Sequence, residues 1–112
     1  MSLSKFNYIR SKKLRDSARG QECTMRIPAV CTGDPATTVW AHSNLGIHGK
    51  GKGIKATDVM GAYMCFACHA AYDGRIKTIA IEPADMDLMF YQAMSESWLE
   101  LIDMGIIKVE GA

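Results

Sequence analysis

The sequence of 112 residues predicts a small α+β domain, and three observations support this prediction. Residues 37–42 are rich in β-branched and aromatic types, which favour a strand. From Pro83 to Met104 apolar residues recur at helical spacing and Gly105 follows, which predicts one long helix. Four cysteines form two separated pairs. With 48% hydrophobic residues the chain can build only a small core, so a link between these pairs would stabilise it.

Cys23, Cys31, Cys65 and Cys68 are all the cysteines of the chain. A Cys-x2-Cys pair with a distant second pair is typical of a tetrahedral zinc site, in which four thiolates join two chain segments. Two other interpretations stay open. Two disulfides would require an oxidising compartment, and the run from Cys65 to His69 has the Cys-x-x-Cys-His pattern of c-type haem attachment. Zinc accounts for all four cysteines, whereas haem leaves the first pair unexplained.

The net charge of +1 hides a division between the two parts of the chain. Residues 1–77 hold 12 Lys and Arg against 5 Asp and Glu, a net +7, whereas residues 78–112 hold 1 against 7, a net −6. A basic segment that carries the cysteines favours a polyanion such as nucleic acid as partner. The alternative is a solvated basic face beside an acidic helix.

The sequence predicts no membrane association and no export. No run of eighteen apolar residues is present, so we expect no membrane span. The first ten residues lack the apolar region of an export signal, so we expect a cytoplasmic protein.

Turn residues divide the chain into three predicted segments of one domain. A basic arm covers residues 1–19 and contains a short helix from Ser11 to Ala18, ended by Gly20. The cysteine-bearing core covers residues 20–77, and a C-terminal helix with a short strand at residues 106–109 covers residues 78–112. In the core we expect a strand from Cys23 to Cys31 and the strand at residues 37–42. A flexible cationic loop at residues 45–55, a turn or short helix at residues 57–60 and a helix at residues 68–72 follow.

The long predicted helix carries an apolar stripe. We expect this stripe to pack on the core, although a partner or a second copy of the chain could also cover it. Its members are Met86, Phe90, Ala93, Met94, Ser97, Leu101 and Met104.

A strand that ends in a cysteine, a hairpin, and a helix that begins at a second cysteine pair together describe a treble clef, in which zinc replaces much of the core. The fragment Cys65-x2-Cys68-His69-x3-Asp73 resembles the HNH endonucleases, which are built on this frame. More narrowly, the chain resembles the small phage and prophage nucleases called YbcO-like. That resemblance covers most of residues 12–109 and rests on Ala18–Cys23, Arg26–Cys31, Ala41-His42 and Ala67–His69.

The resemblance implies a metal-dependent nuclease that hydrolyses DNA phosphodiester bonds in a bacterial host. It implies that His42 is the general base, since imidazole can take a proton near neutral pH. His69 and Asp73, at i and i+4 of a helix, would hold one divalent cation, Mg²⁺ or Mn²⁺. Asp58 stands where the family usually has asparagine, and it would order the loop or hold water. The expected nucleic-acid contacts are Arg19, His48, Lys50, Lys52 and Lys55.

Three features depart from the HNH pattern. Ala41 stands where many members have a second metal-binding Asp or His, a gap that Asn44, His48 or water would fill. Asp58 replaces asparagine, and seven residues separate the first two cysteines. Taken singly, His42 and His69 also fit structural roles. The alternative function is therefore an inactive zinc module that binds nucleic acid or a phage recombination or replication protein, as a monomer or a homodimer.

Overall fold

The computed structural model describes residues 8–77 and 80–111. The first seven residues of the predicted basic arm therefore lie outside the described residues. Within the described ranges the regular elements are three α-helices and two β-strands. They are α1 (Lys12–Asp16), β1 (Val39–His42), β2 (Gly61–Met64), α2 (Phe66–Tyr72) and α3 (Pro83–Asp103). None of the helices in these ranges is both long and apolar enough to cross a membrane.

The two strands form an antiparallel hairpin. Val39 pairs with Met64 and His42 with Gly61, so the loop of residues 43–60 connects the ends of the strands. The indole of Trp40 packs edge-on against the ring of Tyr63, with centroids 5.3 Å apart. The predicted strand at residues 37–42 is confirmed from Val39 onward, while residues 35–37 form a 3-10 turn that begins at Pro35.

Helix α2 follows β2 after a single residue. Cys65 is still extended, with φ −64° and ψ 164°, and the helix begins at Phe66, two residues earlier than predicted. It ends at Tyr72, and Gly74 follows with a φ of +75°, a conformation that glycine adopts without strain. The hairpin thus leads directly into a helix that carries Cys68.

Helix α3 packs across the hairpin. It begins at Pro83, as predicted, and Gly105 after its end has a φ of +74°. The predicted stripe is confirmed at its centre, because Phe90, Ala93, Met94, Ser97 and Leu101 are buried. Met104, by contrast, is 40% exposed and directly follows the last residue of α3.

Two apolar clusters tie the segments together. The first contains the buried cysteines together with Met64, Phe90 and Met94, so it joins the cysteine loop, the hairpin and α3. The second consists of Leu14, Ala18, Trp40, Tyr63 and Leu101, so it joins α1 to the same hairpin and helix. Both clusters therefore depend on residues that are distant in the sequence.

The predicted strand from Cys23 to Cys31 is wrong. The segment is an irregular loop in which Arg26 and Ala29 have positive φ angles of 49° and 64°. At its start Thr24 N donates to the Tyr63 carbonyl at 2.8 Å, and the chain then turns back on itself. A straight strand would carry its two ends apart, whereas this turn brings both cysteines to one point.

The predicted terminal strand at residues 106–109 is also wrong. The backbone N–H groups of Ile106 and Ile107 both donate to the Leu101 carbonyl, at 2.9 and 3.2 Å, and so close the end of α3. The two side chains pack against the second cluster, beside Leu101. Here apolar β-branched residues mark a helix-end contact, which local sequence patterns do not distinguish from a strand.

Candidate functional site

The four cysteines converge on one point between the irregular loop and the start of α2. Their sulfur atoms all lie within 4.8 Å of one another, and those of Cys31 and Cys65 are 4.0 Å apart. Four thiolates around a zinc ion stand roughly 3.8 Å from one another, so the arrangement fits this ion. Among the described residues, no other group of three or more His, Cys, Asp or Glu side chains comes together in this way.

The electrostatics of the cluster also favour a cation. The pKa of Cys23 is lowered to about 4, chiefly by its contact with Cys68 and then by backbone hydrogen bonds, of which that from Arg26 is the largest. Burial acts in the opposite direction. Burial, followed by the neighbouring Cys23, raises the pKa of Cys31, and contact with Cys23 raises the pKa of Cys68. Four adjacent thiols cannot all ionise unless a positive ion compensates them.

The structure disfavours the two other interpretations of the cysteines. All four are free thiols, so no disulfide links them. Cys65 and Cys68 are buried and face the sulfur atoms of Cys23 and Cys31, so a haem cannot reach them for covalent attachment.

His42 lies at the end of β1 and hydrogen-bonds to Asp58. Its Nε2 atom is 2.8 Å from Oδ1 of Asp58, and its side chain is 14% exposed. The sequence predicts that Asp58 orders the loop or holds water. In the structure its carboxylate also contacts the imidazole of His42 directly.

Asp58 is buried, with 1% of its surface exposed, and is surrounded by donors. Its Oδ2 atom accepts from the Ser11 N–H at 2.6 Å and from the Arg15 guanidinium at 2.5 Å. Burial opposes ionisation, but the hydrogen bonds from His42, Ser11 and Arg15 outweigh it and hold the pKa of Asp58 below its ordinary value. The carboxylate is therefore ionised and acts only as an acceptor.

Two indole groups hold the segment that carries Asp58. Trp40 Nε1 donates to the Asp58 carbonyl and Trp98 Nε1 donates to the Val59 carbonyl, each at 2.7 Å. The loop after the lysines is thereby anchored to both β1 and α3.

His69 of α2 and Asp73, the residue directly after the helix, lie on one face, as their spacing predicts. His69 Nε2 lies 3.0 Å from Asp73 Oδ2, and the Asn44 side chain donates to Asp73 Oδ1 at 3.0 Å. Burial acts to raise the pKa of Asp73, but these contacts with His69 and Asn44 lower it below its ordinary value. The group offers an imidazole nitrogen and an ionised oxygen, which are suitable donors for a divalent cation.

One cleft of about 310 Å³ brings the predicted residues together. Its wall carries the histidines of β1 and α2, the carboxylate of α2 and three cationic side chains. The lining residues are Arg15, Trp40, His42, Ser43, Asn44, Lys50, Lys55, His69 and Asp73.

The other predicted nucleic-acid contacts are not among the residues that line this cleft. Lys52 is exposed in the turn between Gly51 and Ile54, and Arg19 lies in a neighbouring groove beside Trp40. The Nδ1 atom of His48 is 2.6 Å from the Ser43 hydroxyl, and burial lowers the pKa of His48. A neutral, hydrogen-bonded imidazole is less suited to a phosphate contact than a lysine.

The contact of Arg15 with Asp58 has no signature in the sequence. Arg15 belongs to a run of basic residues, and 43 positions separate it from Asp58. The sequence suggests Asn44 only as a substitute metal ligand, and its hydrogen bond to Asp73 has no local signature.

This is a small α+β domain organised around a thiolate site that can hold a metal ion. Residues 12–100 match the family described as "Putative nuclease YbcO", and the chain belongs to that family. A protein of this description from Escherichia coli (strain K12) is 48% identical over 63 residues, which are 55% of this chain and 64% of that protein. A protein of the same description from Enterobacteria phage 82 has the same identity and coverage. The chain thus spans about 64% of the length of these curated relatives.

A solved structure is also similar to this protein. It is described as that of a "putative bacteriophage protein" from Escherichia coli str. K-12 substr. MG1655. The similarity has a TM-score of 0.65 at 30% sequence identity and covers 83% of this chain and 100% of the other. The likeness extends well beyond the cysteine cluster.

Proposed function

We propose that this protein is a metal-dependent endonuclease of the HNH type that hydrolyses DNA phosphodiester bonds in the bacterial cytoplasm. In this proposal the hairpin and α2 form the ββα unit of a treble clef, with structural zinc on the four cysteines. The observation that carries the proposal is the shared cleft, in which His42 of β1 faces the same space as His69 and Asp73 of α2. Membership of a family named for nuclease activity supports it.

His42 is the proposed general base. Because Asp58 is an ionised acceptor, Nε2 of His42 carries the proton of their hydrogen bond. The other ring nitrogen, Nδ1, is then the atom that takes a proton from water as its oxygen bonds to phosphorus and the opposite P–O bond breaks. The cationic side chains of Lys50 and Lys55 attract the phosphate backbone to the cleft.

His69 and Asp73 are the proposed ligands of the second metal ion. A hard divalent cation commonly binds one or two carboxylates and completes its shell with water and phosphate oxygens, which the small donor set here permits. Such an ion, when bound, neutralises charge on the phosphate and stabilises the leaving oxygen. Asn44 holds Asp73 in place through its hydrogen bond to Oδ1.

Cleavage of supercoiled plasmid by the zinc-loaded protein tests this proposal. With Mg²⁺ or Mn²⁺ we expect nicked circles, and we expect His42→Ala to reduce the rate by roughly 10²- to 10⁴-fold, the usual contribution of a general base. Zinc content and circular dichroism should stay unchanged in the variant, because His42 does not contact the cysteines. His42→Ala purified in parallel also controls for contaminating nuclease.

Two outcomes would contradict the enzyme proposal. One is an intact plasmid with several divalent ions, and the other is equal cleavage by wild type and His42→Ala. Salt-sensitive DNA binding without cleavage would favour the inactive zinc module instead.

A further inference from the structure

The carboxylate of Asp58 connects helix α1 to the imidazole of His42. Oδ1 contacts Nε2 of His42 at 2.8 Å, while Oδ2 accepts from Arg15 at 2.5 Å and from the Ser11 N–H at 2.6 Å. Arg10 adds a second guanidinium 3.6 Å from Oδ1. The groups around the carboxylate thus come from the N-terminal segment and α1 on one side and from β1 on the other.

Arg15 supplies the closest full positive charge to this carboxylate. Asp58 is 1% exposed, and a buried carboxylate without a counter-charge is unstable and becomes protonated or turns away. A protonated carboxyl group can donate as well as accept, so it would allow either neutral tautomer of His42. An ionised carboxylate only accepts, and therefore requires the proton on Nε2.

We propose that Arg15 is a positioning residue that, through Asp58, keeps Nδ1 of His42 unprotonated and facing the cleft. The role of Nδ1 as a base rests on the proposed function, whereas the tautomer is a property of the free protein. Helix α1 is then part of the active centre, and its contribution is independent of the zinc and of the cation at His69 and Asp73. Arg15 also lines the cleft, so direct contact with a substrate phosphate is the competing role.

The ring ¹⁵N shifts of His42 in the zinc-loaded full chain test the proposal without substrate. At a pH where histidines are neutral, wild type should show the tautomer protonated at Nε2. In Arg15→Gln the ratio of the Nδ1–H tautomer to the Nε2–H tautomer should rise roughly tenfold, because one charge-assisted hydrogen bond to Asp58 is lost. A wild-type ring spectrum in folded Arg15→Gln would overturn the proposal.

Lys13→Gln is the matched control. It removes the same charge from the same short helix, but Lys13 is exposed and is not among the groups around Asp58. We expect its His42 spectrum to match wild type, and an equal change in both variants would overturn the proposal. Arg15→Lys keeps a cation near Asp58 and should restore most of the Nε2–H form. If Arg15→Gln does not fold, Arg15→Met, which also removes the charge, provides the same test, and a wild-type His42 spectrum in that variant would overturn the proposal.

Kinetics separate positioning from phosphate binding. Arg15→Gln should lower kcat by roughly 10- to 100-fold, the effect of losing a group that orients a functional side chain, with KM nearly unchanged. A raised KM with wild-type kcat and a wild-type ring spectrum would mean that Arg15 only binds substrate, and would overturn the proposal. If wild type cuts no DNA, the proposed function fails, yet the ring spectra still decide whether Arg15 sets the tautomer.

Discussion

At the scale of single residues, Gly61 shows how closely the hairpin and the candidate site are packed. A Cβ atom at this position would lie 2.6 Å from Nε1 of Trp40 and 2.7 Å from the Ala41 carbonyl oxygen. The same Trp40 nitrogen donates to the Asp58 carbonyl. A side chain at residue 61 would therefore displace the indole that holds the Asp58 segment.

We expect Gly61→Ala to lower the free energy of unfolding by about 1–3 kcal/mol, the usual effect of overpacking a rigid site. Gly46→Ala is the matched control, because a Cβ there meets nothing within 4 Å and its φ is not positive. The control should stay within about 0.5 kcal/mol of wild type. Urea unfolding of the zinc-loaded proteins measures both, and equal stability of the two variants would contradict the packing argument.

Also at this scale, the sequence shows the chemical type of each candidate residue, but it predicts a contact only where the two residues are close in the chain. The i, i+4 spacing of His69 and Asp73 correctly predicted their contact, because a helix fixes that geometry locally. The contact between Asp58 and Arg15 depends on the path of the chain between them. No local rule relates residues 43 positions apart.

At the scale of elements, α3 is held to the hairpin by a hydroxyl group as well as by apolar packing. The Ser97 Oγ atom accepts from the backbone N–H of Tyr63 at 3.0 Å and donates to the Ala93 carbonyl at 2.8 Å. Thr24 donates through N and Oγ1 to the Tyr63 carbonyl, each at 2.8 Å. Thr24 and Ser97 thus supply hydrogen-bond partners for the backbone N–H and carbonyl of Tyr63, on the edge of β2 that faces away from β1.

We expect Ser97→Ala to cost about 1–3 kcal/mol of unfolding free energy, because it leaves the buried Tyr63 N–H without its acceptor. Ser95→Ala is the matched control. Ser95 is exposed and makes the same bond within α3, to the Tyr91 carbonyl at 2.9 Å, so its loss should be neutral or slightly stabilising. Chemical denaturation distinguishes the two, and a neutral Ser97→Ala would show that water replaces the hydroxyl.

Predictions of elements succeeded where the signal was local. The long helix, the strand at residues 39–42 and the glycine after α2 follow from spacing, β-branched content and the conformational freedom of glycine. The prediction of a strand from Cys23 to Cys31 was wrong because Arg26 and Ala29 adopt positive φ angles that their residue types do not predict. The shape of this loop follows from the convergence of its cysteines with the second pair.

At the scale of the whole molecule, the cysteine cluster lies inside the first apolar cluster. Cys23, Cys65 and Cys68 pack with Phe90 and Met94 of α3, so the thiolate site that could hold a metal is part of the core. We propose that the segments at residues 1–19, 20–77 and 78–112 unfold as a single domain. Loss of the metal should then affect α3 as well as the loop.

We expect one zinc ion per chain by elemental analysis, and removal by a strong chelator should abolish near-ultraviolet dichroism and the cooperative unfolding transition. The physical reason is that binding energy at a structural zinc site is largely folding energy. Cys68→Ser should show the same loss, whereas added zinc should restore the chelated wild type. A zinc-free protein with the wild-type transition would contradict this prediction.

The sequence by itself determined the residue types and the local geometry. It contained four cysteines in two pairs, a hairpin strand ending in His42, two side chains one helical turn apart, and a division of charge. Only the tertiary structure decided which of these meet, because the cleft and the Asp58 network join segments that are far apart in the chain. Helical spacing and turn chemistry act over a few residues, whereas a site requires the path of the whole chain.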